Sequence, residues 1–288
     1  MGREKPMRVF APAKLNLTLD ILGRREDGYH LLDMVMQSVS IYDTLLLTPM
    51  NEPRIALQCD REGIPCGNGN TVRKAAEAFY RAAGIQNKGL HVHIQKRIPE
   101  QAGMAGGSSD AAAVLRTMNK LYQAGFSMEQ LCEIGLSVGA DVPFCLRGGM
   151  WRVGGIGERF SPVPALPPCF FVVCKPPVSV STAEAFARVD TGANTPVCTP
   201  AMLQALQTGT LTNIAAQLGN AFQDVLKVPG VDALQQHMVE LGALGACMTG
   251  SGSAVFGIFA TRQGAEECRT ALLQHYSQVF LCEPVSTE

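Results

Sequence analysis

The stretch Pro99-Glu-Gln-Ala-Gly-Met-Ala-Gly-Gly-Ser-Ser-Asp-Ala-Ala-Ala113 constrains the fold more than any other part of the chain. Ahead of it, Leu90, Val92 and Ile94 alternate with His91, His93 and Gln95, the period of a half-buried strand between Leu90 and Ile98. Within it, Gly103, Gly106 and Gly107 leave backbone N–H groups uncovered and permit positive φ. Behind it, Ala111, Val114, Leu115, Met118, Leu121 and Tyr122 recur at helical spacing, with Ser108 or Ser109 as the expected N-cap. A strand, a glycine loop and a helix start in succession make an anion site, because first-turn N–H groups and the helix dipole both face the loop. Its natural ligand is a phosphate chain. A glycine-rich turn that only lets a small-residue helix pack closely on a sheet would read the same way, and at this point both readings stand. The chain contains no Gly-Lys dipeptide, which excludes the P-loop, and its glycine spacing excludes the dinucleotide fingerprint.

With 288 residues, 47% of them hydrophobic, the chain can build one large domain or two ordinary ones. A net charge of −1 argues against nucleic acid as a partner. The opening Met-Gly-Arg-Glu-Lys-Pro has no apolar region, so it does not read as a signal peptide. No run is apolar for long enough to suggest a membrane helix. The ten cysteines (59, 66, 132, 145, 169, 174, 198, 247, 268 and 282) show no C-x-x-C spacing and no histidine in a ligand pattern with them. They are expected as free thiols acting as small hydrophobes, and a cytoplasmic location is expected with them.

Along the chain, Leu15, Leu17, Leu19 and Ile21 share one face of a strand, and Lys14, Asn16, Thr18 and Asp20 the other. Lys14 and Asn16 therefore point the same way, roughly 7 Å apart. A solvated face is the ordinary fate of such residues, but the preceding Ala-Pro-Ala and a lysine so early in the strand raise a functional reading beside it. A polar turn runs from Gly23 to His30, Leu31 to Ile41 is apolar, and Ile41 to Leu47 reads as a further strand. Helices are expected over Thr71 to Ala83 and Met128 to Leu136. Asp141 lies in Gly-Ala-Asp-Val-Pro, on irregular backbone, and must be paired or face a cleft. A turn or N-cap aspartate is the alternative. Gly148 to Phe160, with five glycines around Trp151, reads as strands or a hairpin, and the four prolines in Ser161 to Pro168 as a linker. Cys169 to Cys174 is an expected buried strand, followed by helical patterns near 182–190, 200–208, 213–226 and 231–241. Cys247 to Phe259 holds a second glycine turn and a strand, and Gln263 to His275 a last helix. Strands and helices interleave without βαβ repetition, so the expected class is α+β.

Three segments stand in order: Pro99 to Ala113, Gly139-Ala-Asp-Val-Pro143 and Thr249-Gly-Ser-Gly-Ser253. With the Ala-Pro-Ala-Lys-Leu-Asn start, they resemble the GHMP small-molecule kinases, and the resemblance spans nearly the whole chain. Within that superfamily, Ala13-Lys-Leu-Asn16, Arg25-Glu-Asp-Gly-Tyr-His30 and Gly139-Ala-Asp-Val-Pro-Phe144 are similar to the branch acting on a cytidine-diphosphate conjugate of methylerythritol. The resemblance implies two lobes, an N-terminal ATP-binding domain over 1–160 and a C-terminal domain over 161–288, with the active site in a cleft. It implies ATP and Mg²⁺ as cofactors, with Lys14 and Asp141 as the catalytic pair. Pro99, Gly103, Met104, Ala105, Gly106, Gly107, Ser108 and Ser109 would wrap the ATP phosphates, and Asn70 and Lys96 would match adenine-pocket positions. Asn16, Tyr29, His30, Thr182 and Phe186 would bind the cytidine substrate. Met104 stands where leucine is more usual, a volume-conserving exchange. A homodimer is among the assemblies left open, and the Mg²⁺ ligands are not assigned, with Ser109 and Asp110 as candidates.

These residues suit phosphoryl transfer on chemical grounds. Asp141 could accept a hydroxyl proton, and a neighbouring Lys14 would keep it ionised. Tyr29 and Phe186 could stack on a cytosine face while His30 reads its edge. Two other readings stay open: a kinase of the same superfamily with a different alcohol, and a nucleotide-binding sensor that has lost catalysis.

Overall fold

Apolar periodicity and capping set most element boundaries in the computed structural model, which describes residues 6–86, 88–189 and 197–286. In chain order the elements begin with β1 (Met7–Arg24), β2 (His30–Pro49), β3 (Ile55–Cys59), α1 (Thr71–Ala83), β4 (Leu90–Gln95), α2 (Gly106–Leu121) and α3 (Met128–Leu136). Next come α4 (Val142–Arg147), β5 (Met150–Gly155), β6 (Arg159–Pro162), β7 (Phe170–Cys174), α5 (Thr182–Val189), α6 (Thr199–Thr208) and α7 (Leu211–Ala215). The chain ends with β8 (Gly219–Asn220), α8 (Ala221–Leu226), α9 (Val231–Glu240), β9 (Gly245–Met248), β10 (Val255–Phe259), α10 (Arg262–Leu272) and β11 (Val279–Cys282). The class is α+β, as expected. No helix among the described residues is long and apolar enough to cross a membrane.

The chain forms two compact units, and β1 and β2 are each divided between them. One unit holds the described residues up to Ala13, Ile41–Ile98 and Ala105–Gly148. In it the second half of β2 pairs antiparallel with β4, from Thr44 opposite Gln95 to Pro49 opposite Leu90. Strand β3 pairs with β4 in parallel. Helices α1 and α2 pack together. The buried face of α1 is Val72, Ala75, Ala76, Phe79 and Tyr80. That of α2 is largely small, with Ala111, Ala112 and Ala113 beside Val114, Leu115 and Met118. Helix α3 starts at a capping box in which Ser127 and Gln130 satisfy each other's backbone N–H.

The other unit holds Lys14–Ser40, Pro99–Met104 and the described residues from Gly149 on. Here the first half of β2 pairs antiparallel with β5, which forms the expected hairpin with β6. Strand β1 pairs in parallel with β8, Thr18 opposite Gly219. A second, antiparallel sheet has the order β11-β7-β10-β9, with α9 and α10 packed on it. Cys169, Cys174, Cys247, Cys268 and Cys282 are buried free thiols of this unit.

Several expectations are corrected. Of the two readings of the polar face of β1 the solvated one falls: Lys14, Asn16, Thr18 and Asp20 are all buried. Alternation identifies two faces of a strand but not what covers them. Asp20 accepts the backbone N–H groups of Cys198 and Thr199, each at 2.8 Å, and the Thr18 and Thr199 hydroxyls lie 2.7 Å apart. The apolar run from Leu31 and the strand from Ile41 are one strand, β2. The helix expected over 213–226 is broken by β8: Asn220 leaves helical geometry and caps α8 by accepting from Phe222 N–H. Strands β3 and β11 had no counterpart in the sequence reading. The last residue of the helix expected over 182–190 lies outside the described residues.

Asn220 also donates from Nδ2 to the carbonyls of Met248 (2.7 Å) and Gly250 (2.8 Å), so one buried amide holds the second glycine turn in place. Asn220→Ala should lower stability by about 1–3 kcal/mol for each buried group left unpaired. Denaturant unfolding checks this: the midpoint should fall with an unchanged slope. A midpoint within experimental error of wild type would contradict it.

Candidate functional site

The glycine stretch is shared between the units, Pro99–Met104 belonging to one and Ala105 onwards to the other. Helix α2 begins at Gly106, two residues before the serines expected to cap it. Ala105 adopts φ 57 and turns the chain into the helix without a side-chain cap, which leaves Ser108 and Ser109 in the first turn. Ser109 donates instead from Oγ to the Pro12 carbonyl at 2.6 Å. Gly106 and Gly107 are helical, so their requirement is space, not positive φ. A Cβ on Gly106 would lie 3.1 Å from Ile98 Cγ2 and 3.2 Å from Lys96 Nζ; one on Gly107 would lie 3.1 Å from Thr71 Oγ1. Ser109 N–H already bonds Ala105 O, whereas the amides of Gly106, Gly107 and Ser108 precede the first possible intrahelical acceptor. Those amides and the dipole of a 16-residue helix favour an anion.

Around this helix start, Asn70 caps α1 by accepting from Val72 N–H at 2.8 Å and donates to Pro65 O at 2.9 Å. The next residue, Thr71, donates from Oγ1 to Gly107 O at 2.7 Å. Lys96 is held by two buried carboxylates: it pairs with Asp43 and, at 2.8 Å, with Asp110. Burial opposes the lysine charge, but the two carboxylates raise its pKa above the ordinary value. Asp43 also accepts the amides of Arg97 (2.6 Å) and Ile98 (2.9 Å). Burial pushes the Asp110 carboxyl up to about 7, against the pull of Lys96 and with the push of Asp43. Asp110 Oδ1 is buried with no hydrogen-bond partner. Asp141 occupies the N-cap position of α4, half-buried, but its side chain makes no capping hydrogen bond. Its carboxylate is thus not consumed by the turn.

In the other unit, Lys14 Nζ donates to Asn16 Oδ1 at 2.5 Å, so these neighbours on one strand face act as a pair. Asn16 Nδ2 lies 3.3 Å from the Met34 sulfur, and its backbone N–H bonds Thr249 Oγ1 at 3.0 Å. Lys14 N–H bonds Met104 O at 3.2 Å. Pro99 and Met104 are buried, and Gly103 takes φ 71. A Cβ on Gly103 would lie 2.0 Å from Thr249 O, and one on Gly250 would lie 2.7 Å from Gly103 O. The first half of the glycine stretch therefore packs backbone to backbone against the Thr249-Gly-Ser-Gly-Ser turn.

The same unit brings together His30, Phe186 and Thr182 with their neighbours. The His30 ring stacks on Phe186 at 4.6 Å, and Phe186 meets Phe222 edge-on at 4.9 Å. The Thr182 hydroxyl lies 3.1 Å from that of Ser251 in the glycine turn. Tyr29, expected like Phe186 to stack on a cytosine face, is 59% exposed, and the ring lying against Phe186 is that of His30. Several supporting residues escaped the sequence reading: Asp43, Thr249 and Asn220. The turn containing Thr249 was visible, but its bond to Asn16 crosses 233 residues and left no local signal.

The two glycine environments predict unequal tolerance. Gly106→Ala meets Ile98 Cγ2 at 3.1 Å and Lys96 Nζ at 3.2 Å, side-chain contacts that a small adjustment relieves. Gly103→Ala meets a carbonyl at 2.0 Å from a left-handed backbone. Thermal unfolding should show Gly103→Ala as the more destabilised of the two, and the reverse order would contradict the geometry.

A family model described as "GHMP kinases N terminal domain" matches residues 70–149, and one described as "GHMP kinases C terminal" matches residues 202–278. A protein of Clostridium kluyveri named 4-diphosphocytidyl-2-C-methyl-D-erythritol kinase is 38% identical over 286 residues, covering 97% of this chain and 100% of its own length. One of the same name from Alkaliphilus metalliredigens is 38% identical over 285 residues, covering 98% of each. A crystal structure of 4-(cytidine 5'-diphospho)-2C-methyl-D-erythritol kinase is 35% identical and covers 98% of this chain and 100% of that one, with a TM-score of 0.80. Homoserine kinase from Cytophaga hutchinsonii, 18% identical with a TM-score of 0.77 over 100% of this chain and 96% of its own, shares the fold. The chain belongs to the 4-diphosphocytidyl-2-C-methyl-D-erythritol kinase family of the GHMP kinases.

Proposed function

We propose that this protein transfers the γ-phosphoryl group of ATP to the 2-hydroxyl of 4-diphosphocytidyl-2-C-methyl-D-erythritol, giving the 2-phosphate and ADP, a step of the non-mevalonate route to isoprenoid precursors. The observation that carries this reading is kinship along essentially the full chain with relatives named for that activity. Incubation with ATP, Mg²⁺ and the cytidylyl alcohol tests it; phosphorylated product and ADP are expected, and ATP turnover only with another alcohol would refute it.

Each role follows from the chemistry of the residue. The amides of Gly106, Gly107 and Ser108 serve as phosphate donors, at a helix start where a Cβ on Gly106 would press on Ile98 and Lys96. The residues present also fit a nucleotide-borne Mg²⁺: the Asp110 Oδ1 atom is buried and unpartnered, and the Ser109 hydroxyl keeps acceptor capacity while donating to Pro12 O. Those two would hold the ion, which when bound neutralises charge on the triphosphate. Asp141 takes the proton of the attacking hydroxyl as the oxygen–phosphorus bond forms and the ADP oxygen leaves. Lys14, fixed by Asn16, supplies positive charge for the transferring phosphoryl group. His30, Phe186 and Thr182, with exposed Tyr29, form the cytosine-recognising group, offering ring faces and hydrogen-bonding edges.

Two measurements test these assignments. Asp141→Asn keeps the side-chain shape but cannot accept the proton, so kcat should drop by about 10²-fold, the low end for a general base, with both KM values kept. A stable variant with near wild-type kcat would remove the assignment. Phe186→Leu keeps apolar bulk but loses the ring. It should raise KM for the cytidylyl substrate by an amount equivalent to about 1–3 kcal/mol and leave KM for ATP unchanged. An effect on ATP instead would mean that the two nucleotide sites are interchanged.

A further inference from the structure

We propose that Arg116 is a positioning residue for the reaction: by gripping the C-terminal carbonyls of α4, it fixes the place of Asp141 at the other end of that helix. The inference rests on the reading of Asp141 as general base.

Helix α4 has six residues, about 9 Å of helix, too short to be stable by itself. Its terminal carbonyls must find partners outside the helix. Gly148 N–H takes the Phe144 carbonyl at 2.7 Å. The next two carbonyls, of Cys145 and Leu146, accept from a single nitrogen, Arg116 Nη1, at 2.8 and 3.0 Å. Arg116 lies on α2, ten residues beyond its first residue, Gly106. One rigid helix therefore carries the glycine loop at its start and, about 15 Å along, the clamp on the element that carries Asp141.

The choice of residue is unusual for a purely structural clamp. Arg116 is half-buried, and an arginine partly withdrawn from water is ordinarily paired with a carboxylate. Among the described residues none forms an ion pair with Arg116. Burial lowers its pKa, yet a guanidinium remains charged in proteins. A cation at a helix C-terminus is favoured by the dipole, and one guanidinium nitrogen carries two N–H donors, enough for both carbonyls. On its other side α4 abuts α3 so tightly that a Cβ on Gly135 would lie 2.8 Å from Val142 Cγ1 and 3.0 Å from Leu146 Cδ1. Helix α4 thus packs against both α3 and α2, Arg116 ties its last carbonyls to α2, and its N-cap residue, Asp141, inherits that position.

The test is a double-mutant cycle. Arg116→Met and Arg116→Lys are made in the wild type and in Asp141→Asn, with thermal unfolding recorded and kinetics run well below each midpoint. Arg116→Met should lower kcat on the order of 10²-fold, the loss expected of a misplaced catalytic group, with KM for ATP and for the alcohol unchanged. Arg116→Lys keeps the charge and one carbonyl contact and should lose less. In Asp141→Asn the same substitutions should cost nothing further, because the group they position is already gone. If Asp141→Asn is slow but the Arg116 variants cost the same factor in both backgrounds, the inference is overturned and the base assignment survives. If Asp141→Asn keeps wild-type kcat, the base assignment fails and the inference with it. Should Arg116→Met not fold, Arg116→Lys decides by the same comparison.

Discussion

The contact between Gly103 and the Thr249–Gly250 backbone admits no side chain, and the unit containing it is arranged around that fact. With 2.0 Å between a notional Gly103 Cβ and Thr249 O, these two turns lie as close as main chains can. Thr249 then has its hydroxyl against Asn16 N–H, and Asn16 orients Lys14. Behind the turn, Asn220 holds the carbonyls on either side of Thr249. Ser251 of the same turn meets Thr182 at the start of the helix that carries Phe186. The cation of the proposed chemistry and the ring of the proposed base recognition thus refer back to one five-residue turn.

In the other unit the organising element is α2. Its start presents backbone amides, its first turns are tied to Thr71 and Pro12, and Asp110 is locked to Lys96 and Asp43. Removing Lys96 would leave two buried carboxylates facing each other without their cation, whereas loss of either carboxylate still leaves the lysine paired with the other. The Ala-rich face lets α1 approach closely without bulky knobs. Small residues here serve proximity, while polarity is confined to the few groups that fix the helix start.

How much of this was legible depended on how local the cause was. Helices α1 and α3 are bounded where the pattern puts them, because apolar spacing and caps such as Ser127 act within a turn or two. The common orientation of Lys14 and Asn16 followed from strand period alone. That the same face is buried did not, because it depends on Thr249, Thr199 and Cys198, remote in sequence. The start of α2 was misplaced because a serine cap was assumed where Ala105 turns the backbone unaided. The break at Gly219 was equally hidden: a Cβ there would lie 2.3 Å from Cys198 Sγ, a contact no local window contains.

The buried cysteines give the molecule an internal clock for opening. Only the thiolate reacts with an alkylating reagent. Burial pushes Cys169, Cys174 and Cys247 up to about 12 and Cys268 up to about 11, and Cys282 is raised as well. All five lie in or against the antiparallel sheet of one unit, whereas Cys59, Cys66 and Cys132 are half-buried in the other. Modification at neutral pH would then be graded: early at the half-buried sulfurs, and at the sheet only when strands part. Labelling of the sheet sulfurs would therefore register the opening of the unit that holds them, with no cysteine having to be introduced.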